Sequence, residues 1–209
     1  LQAVHDRYDF SIPWNSGTNK IITQTSREGE AVNISALLCP STQHEEPGVS
    51  DIAANVGADS GTYNTYPEKG EWLIPGCFCK GGDYASGVLI PVPGEKQKSG
   101  PNAGKYLRTY RTKIAKITDG TSTTMVLGES AGRTDGNRWW GDGDHSFTHH
   151  GVINTSRNNE FCSDHSGGIN IAMADGSVRF LSEYTSKKVI DYLSTRAGNE
   201  LLPEDFHRN

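Results

Sequence analysis

The segment from Ile169 to Leu181 constrains the fold more than any other part of the chain. Two runs of alternating apolar residues, Ile169 to Ala174 and Ser177 to Leu181, flank Asp175-Gly176. Asp-Gly is a strong turn signal, because Gly takes positive φ without a steric penalty and Asp bonds its own backbone. A two-residue loop would pair Met173 with Val178 and Ile171 with Phe180 on one apolar face. Ala174 with Ser177 and Ala172 with Arg179 would then share the other face. An antiparallel hairpin is therefore expected. A second Asp-Gly, Asp119-Gly120, leads through Thr121-Ser122 into Thr123 to Glu129, a β-rich run that ends on a carboxylate. Beyond the hairpin, Val189, Ile190 and Leu193 fall on one helical stripe behind Thr185 or Ser186 as a cap, with Gly198 as a stop. This predicts a short carboxy-terminal helix.

The rest of the chain is rich in turns. The sequence has 209 residues, enough for one domain with a proper core, and its 24 glycines and 9 prolines favour short elements over long helices. Residues 42–104 read as a variable, loop-dominated region, and residues 114–209 as the sheet core with its closing helix. Residues 1–9 read as the last turns of an amino-terminal helix, because Leu1, Val4 and Tyr8 fall on one helical face. The expectation is that this helix continues upstream and anchors the full-length protein. A net charge of −5 and the lack of a Lys/Arg run argue against a nucleic-acid partner.

The four cysteines are Cys39, Cys77, Cys79 and Cys162. Cys77 and Cys79 are too close for a two-residue zinc knuckle, and in an extended segment they point to opposite sides. Two disulfides are therefore expected, with Cys77 and Cys79 each bonded to a different one of Cys39 and Cys162. The alternative is four reduced thiols. Bridges would imply an oxidising, extracytoplasmic compartment.

Candidate ligands are densest from Gly141 to His150. Asp142 and Asp144 suit a structural calcium ion (Ca2+), and His145, His149 and His150 suit zinc. An EF-hand is excluded, because Phe147 and Ile153 stand where that loop needs Gly and Glu. Trp139 and Trp140 could form a stacking platform for a glycan or small solute, or serve as core and edge packing. The chain contains no H-E-x-x-H or P-loop motif, and no enzymatic activity is expected. His165 and Asp175 flank one strand, roughly 20 Å apart at about 3.3 Å per residue, so they are expected to shape turns and not to share a site.

Several of these segments together resemble a large bacterial family abundant in planctomycetes. They are His165-Ser166-Gly167-Gly168, Ala174-Asp175-Gly176-Ser177 and Ser194 to Glu200, joined by Leu38-Cys39-Pro40-Ser41, Asp119-Gly120-Thr121-Ser122, Gly128-Glu129 and the helical stub. Nine residues separate His165 from Asp175, as in that family's His, nine residues, Asp-Gly signature. Asn199 departs from the pattern, standing where a second Gly is usual, and Asn is the next-best residue at positive φ. The family is of unknown function, and some members are labelled solute-binding.

The resemblance implies an α+β, pilin-like fold: an amino-terminal helix packed on an antiparallel sheet with large loop insertions. Residues 1–209 would form a single globular head. It further implies a type II secretion or type IV pilin-like (pseudopilin) subunit at the cell envelope, meeting other pilin-like subunits and the membrane through its amino-terminal helix. A surface module that binds a solute or glycan through Trp139, Trp140 and the acidic loop 142–144 is the alternative.

Overall fold

The computed structural model of the chain describes residues 2–14, 16–23, 31–44, 46–59, 73–74, 84–89, 112–134, 138–141, 145–149, 151–158, 160–203 and 206. Among them the helices are α1 (Gln2–His5), α2 (Gly17–Thr23) and α3 (Lys187–Ser194). The strands are β1 (Ile52–Asp59), β2 (Leu73–Ile74), β3 (Tyr84–Ser86), β4 (Met125–Glu129), β5 (Ser146–His149), β6 (Gly168–Met173) and β7 (Val178–Ser182). The fold is α+β and built on an open, mainly antiparallel sheet in the order β2-β3-β1-β4-β6-β7, with β5 added to β1. The β1–β5 pairing is parallel, with a register shift between Asn55 and Gly57. No helix among the described residues is long and apolar enough to cross a membrane.

The hairpin forms, but one residue out of the expected register. Ala172 pairs with Val178, Ile171 with Arg179, Asn170 with Phe180 and Ile169 with Leu181. The loop holds three residues. Gly176 N donates to Met173 O at 3.0 Å, Met173 N donates to Ser177 O at 2.9 Å, and Gly176 closes the turn at φ 86°. This is a type I turn followed by a glycine bulge, a loop that Asp-Gly serves as well as the two-residue type I′ turn. A slip of one residue moves a strand's whole apolar set to the other face. Val178 and Phe180 therefore lie opposite the core, 69% and 53% exposed, while Leu181 is buried.

At Gly176 an added Cβ would meet no atom within 4 Å, so substitution there costs only backbone strain. Gly176→Val is expected to destabilise the fold by about 1–2 kcal/mol. Asp175 Oδ1 accepts from Ser177 N and Oγ at 2.8 and 2.7 Å, and Asn keeps that acceptor. Asp175→Asn should stay within about 0.5 kcal/mol of the parent. Thermal melts of both variants check the pair.

Strand β1 lies inside the segment read from sequence as loop-dominated, and it is the hub of the sheet. It pairs with β4 through Ile52 to Ala54, with β3 through Gly57 to Asp59, and with β5 alongside both. The run Ile-Ala-Ala-Asn-Val-Gly-Ala-Asp is poor in the β-branched and aromatic residues that advertise a strand. Small residues serve here because neighbours press on it: Ala53, Val56 and Ala58 are buried.

Helix α3 forms as expected, capped by Ser186, whose Oγ accepts from Val189 N at 3.4 Å. It packs on β1 and β4. There Ile190 and Leu193 join Ala53, Met125, Ile153, Phe161, Ile169, Ile171, Met173 and Leu181 in the principal core. It ends at Ser194, before Gly198, and Thr195 is already extended. The amino-terminal stub folds as α1 and bends at Tyr8–Phe10. Buried Asn19 of α2 fastens that bend, receiving Asp9 N and donating to Asp9 O, both at 2.8 Å.

Candidate functional site

Three side chains from distant parts of the chain converge at one end of the sheet. Cys39 follows the 3-10 turn Ser35–Leu37, Glu129 ends β4, and His165 lies in the loop before β6. Cys39 Sγ is 3.5 Å and Glu129 Oε1 is 3.1 Å from the same ring nitrogen, His165 Nε2. The ligand-type atoms of all three lie within 4.8 Å of one another. On the other side of the ring, Nδ1 faces Ser41 Oγ at 3.3 Å. Cys39 and Glu129 are buried, whereas the His165 side chain is 26% exposed, so the cluster opens to solvent on the imidazole side.

The surroundings hold these groups in place. Glu129 Oε2 accepts from Asn170 N at 2.7 Å, and Oε1 accepts from Asn170 Nδ2 at 3.1 Å. Cys39 N donates to Asp51 Oδ2 at 2.6 Å, and Asp51 Oδ1 accepts from Gly132 N at 3.1 Å. His165 N donates to Ser163 Oγ at 2.9 Å, and Gly167 turns the chain into β6 at φ 84°. Beside them Asp164 accepts from Thr42 Oγ1 at 2.8 Å and pairs with Arg157. First the Thr42 hydroxyl and then the Arg157 guanidinium hold the Asp164 carboxyl below the usual carboxylate range.

A depressed folded-state pKa gives stability that is present above the unfolded value, near 4, and is lost as pH falls through the folded one. Urea midpoints should therefore decline as the pH drops below about 4, and Asp164→Asn should remove part of that slope. Arg157 and Asp164 are 40% and 33% exposed, so solvent screening limits the pair to about 0.5 kcal/mol.

The family described as "Protein of unknown function (DUF1559)" matches residues 1–152 and 145–188. The chain belongs to this family. No curated protein and no solved structure matches the chain. Most of the residues that mark the DUF1559 resemblance act on the backbone. Asp119 accepts from Gly198 N at 2.7 Å and Asn199 N at 2.8 Å, which fixes the exit from α3. Asn199 adopts φ 58°, the conformation for which Asn is the nearest substitute for Gly. Gly120 bends the chain at φ 102°, and its carbonyl accepts from Thr123 Oγ1 and Thr124 Oγ1 at 3.0 and 2.9 Å. Arg196 Nη1 reaches across to Gly87 O at 2.6 Å, beside β3. Asp175 turns to Ser177, away from the His165 cluster.

Among the described residues, Cys39 and Cys162 carry free thiols. Cys39 Sγ faces His165, and Cys162 Sγ donates to Ala131 O at 3.2 Å. Burial pushes the Cys162 thiol up to about 11, outweighing the nearby Arg157 guanidinium. Cys77, Cys79, Asp142, Asp144 and His150 lie outside the described residues. His145 and His149 are both buried at the two ends of β5, and His149 Nδ1 pairs with Glu160 Oε2 at 2.6 Å. Four residues along a strand span about 13 Å, too far for one ion.

The Trp pair is built into the scaffold. Trp140 Nε1 donates to Val32 O at 2.7 Å, Trp139 bridges to Val49, and the Arg138 guanidinium lies 5.3 Å from the Trp139 ring centre. Arg138 also binds Glu46 Oε2 at 2.7 Å. Arg138 and Glu46 line a polar cleft of about 320 Å³ together with His44, Asp51 and Arg133, and neither Trp is among its lining residues.

Proposed function

We propose that the chain is the extracytoplasmic head of a pseudopilin-like structural or assembly subunit, held at the envelope by an amino-terminal helix and joined to other pilin-like subunits. The observation that carries this reading is the unequal covering of the sheet. One face lies under α3 and the main core. The other presents Val178 and Phe180, both exposed, next to half-buried Leu127 and Ala172. A row of apolar side chains on an open sheet is what a docked helix or neighbouring subunit would cover. The backbone work of Asp119, Arg196 and Asn199 supports a scaffold in preference to an enzyme.

Expression of the whole gene product in a bacterial envelope tests the reading. It should fractionate with membranes, and the head should be cut by protease added outside the cytoplasm. Recovery as a soluble, protected cytoplasmic protein would contradict it.

A second reading, a surface module for a glycan or small solute, draws support from the polar cleft beside Trp139, whose lining of both charge signs suits a small polar ligand. A thermal shift with sugars or amino acids that is lost in Arg138→Ala would favour it. A melting temperature unmoved across such a panel would leave the assembly reading alone.

A further inference from the structure

Cys39, Glu129 and His165 are signature residues whose side chains converge on one another, Glu129 also receiving Asn170 N and Nδ2. Sulfur and carboxylate converge on one imidazole nitrogen, at 3.5 and 3.1 Å. A single N–H on Nε2 cannot be directed at both. In a Cys–His–carboxylate catalytic arrangement the carboxylate orients the ring from the other nitrogen. That nitrogen, Nδ1, faces the Ser41 hydroxyl instead. The geometry therefore lacks the relay a nucleophilic cysteine requires and leaves three donor atoms facing a common point.

We propose that Cys39 Sγ, Glu129 Oε1 and His165 Nε2 bind one divalent transition-metal cation of the zinc class, which staples together the loop before β1, the end of β4 and the loop before β6. A thiolate, an imidazole and a carboxylate form the mixed set that borderline cations take, and sulfur makes it unsuitable for calcium. The spacing agrees. Bonds of about 2.0–2.3 Å at tetrahedral angles put ligand atoms about 3.4–3.6 Å apart. The two separations of 3.5 and 3.1 Å are close to those edges, and the third, Sγ to Oε1, lies within 4.8 Å, so the cation has to draw the thiolate and carboxylate together by roughly 1 Å at most.

The charge balances as well. On binding, the Cys39 thiol gives its proton to solvent, and thiolate plus carboxylate neutralise the dication while His165 stays neutral. Ser41 Oγ can accept a hydrogen bond from Nδ1–H, holding the proton there and leaving Nε2 free for the ion, while Asn170 fixes the carboxylate and Asp51 fixes the Cys39 backbone. Solvent supplies the fourth ligand on the exposed His165 side.

Cobalt(II) and zinc(II) added to the chelator-treated chain test the site. The expected result is one cobalt per chain with a thiolate-to-cobalt charge-transfer band, displacement of that band by zinc, and a melting temperature raised by zinc. Cys39→Ser should lose the band, and His165→Gln should lose tetrahedral binding. Ser41→Ala should keep the band while weakening zinc by about tenfold. His165→Gln, altered at the most exposed of the three positions, serves where Cys39→Ser fails to fold. Absence of the band from a chain whose Cys39 thiol titrates as free would overturn the proposal. So would a mass map showing Cys39 bonded to Cys77 or Cys79, or a band that persists in folded Cys39→Ser.

Discussion

Asp51→Ala is expected to lower stability by about 3–5 kcal/mol, the range found when one partner of a buried charged network is removed. Asp51 is 1% exposed and its two oxygens receive Cys39 N and Gly132 N, while His44 Nε2 lies 2.9 Å from Oδ2. Alanine would leave those backbone donors buried without an acceptor, and each hydrogen bond to a charged group is worth about 1.5–3 kcal/mol. In a chain of this length the loss should lower the melting temperature by roughly 10 °C. Asp51→Asn should fall between, because an amide supplies one acceptor where the carboxylate supplies two. A differential scanning calorimetry series over the three proteins checks the order.

Gly168→Ala should be comparably damaging for a steric reason. A Cβ there would stand 2.1 Å from Leu181 O and 2.9 Å from Leu181 C, backbone atoms of the paired strand that cannot rotate away. Relief requires β6 and β7 to separate where Ile169 and Leu181 enter the core, at an expected cost of about 3 kcal/mol. Gly198→Ala is the control. Its Cβ would come even closer to an atom, 1.8 Å, but that atom is the Glu200 carboxylate at the end of a flexible side chain. Rotation of Glu200 gives up its bonds from Thr195 Oγ1, and the net effect should be about 1 kcal/mol. Urea unfolding of the two alanine variants separates backbone collision from side-chain crowding.

The elements with strong local chemistry were legible in the sequence: the Asp175-Gly176 turn, the Ser186-capped helix and the strand ending at Glu129. Register was not. Asp-Gly serves two loop lengths, and Val178, Phe180 and Leu181 are all apolar, so alternation alone could not say which of them enters the core. The structure chooses Leu181. Strand β1 stayed hidden because Ala, Asn and Gly carry almost no strand signal, although those small residues are what its crowded position requires.

The cluster of Cys39, Glu129 and His165 was visible only in pieces. Cys39 and His165 stand 126 positions apart, and local spacing says nothing about a meeting set by the fold. The available signal was that all three fall within the segments carrying the family resemblance, yet none has the Gly or Asp chemistry of a turn. Asp51 gave no signal at all, since its role depends on where the Cys39 and Gly132 backbones arrive.

The assembly reading rests on the sheet face that carries Val178 and Phe180, and cross-linking at that face tests it most directly. A photo-reactive residue placed at position 180 of the full-length, membrane-inserted protein should yield cross-links to a second pilin-like subunit or to an anchoring helix. Val178→Glu should abolish those cross-links while leaving the melting temperature of the isolated head within about 1 °C, because Val178 is exposed and contributes little to the core. A probe at position 180 that captures no protein, with the head monomeric at the membrane and indifferent to Val178→Glu, would contradict the account.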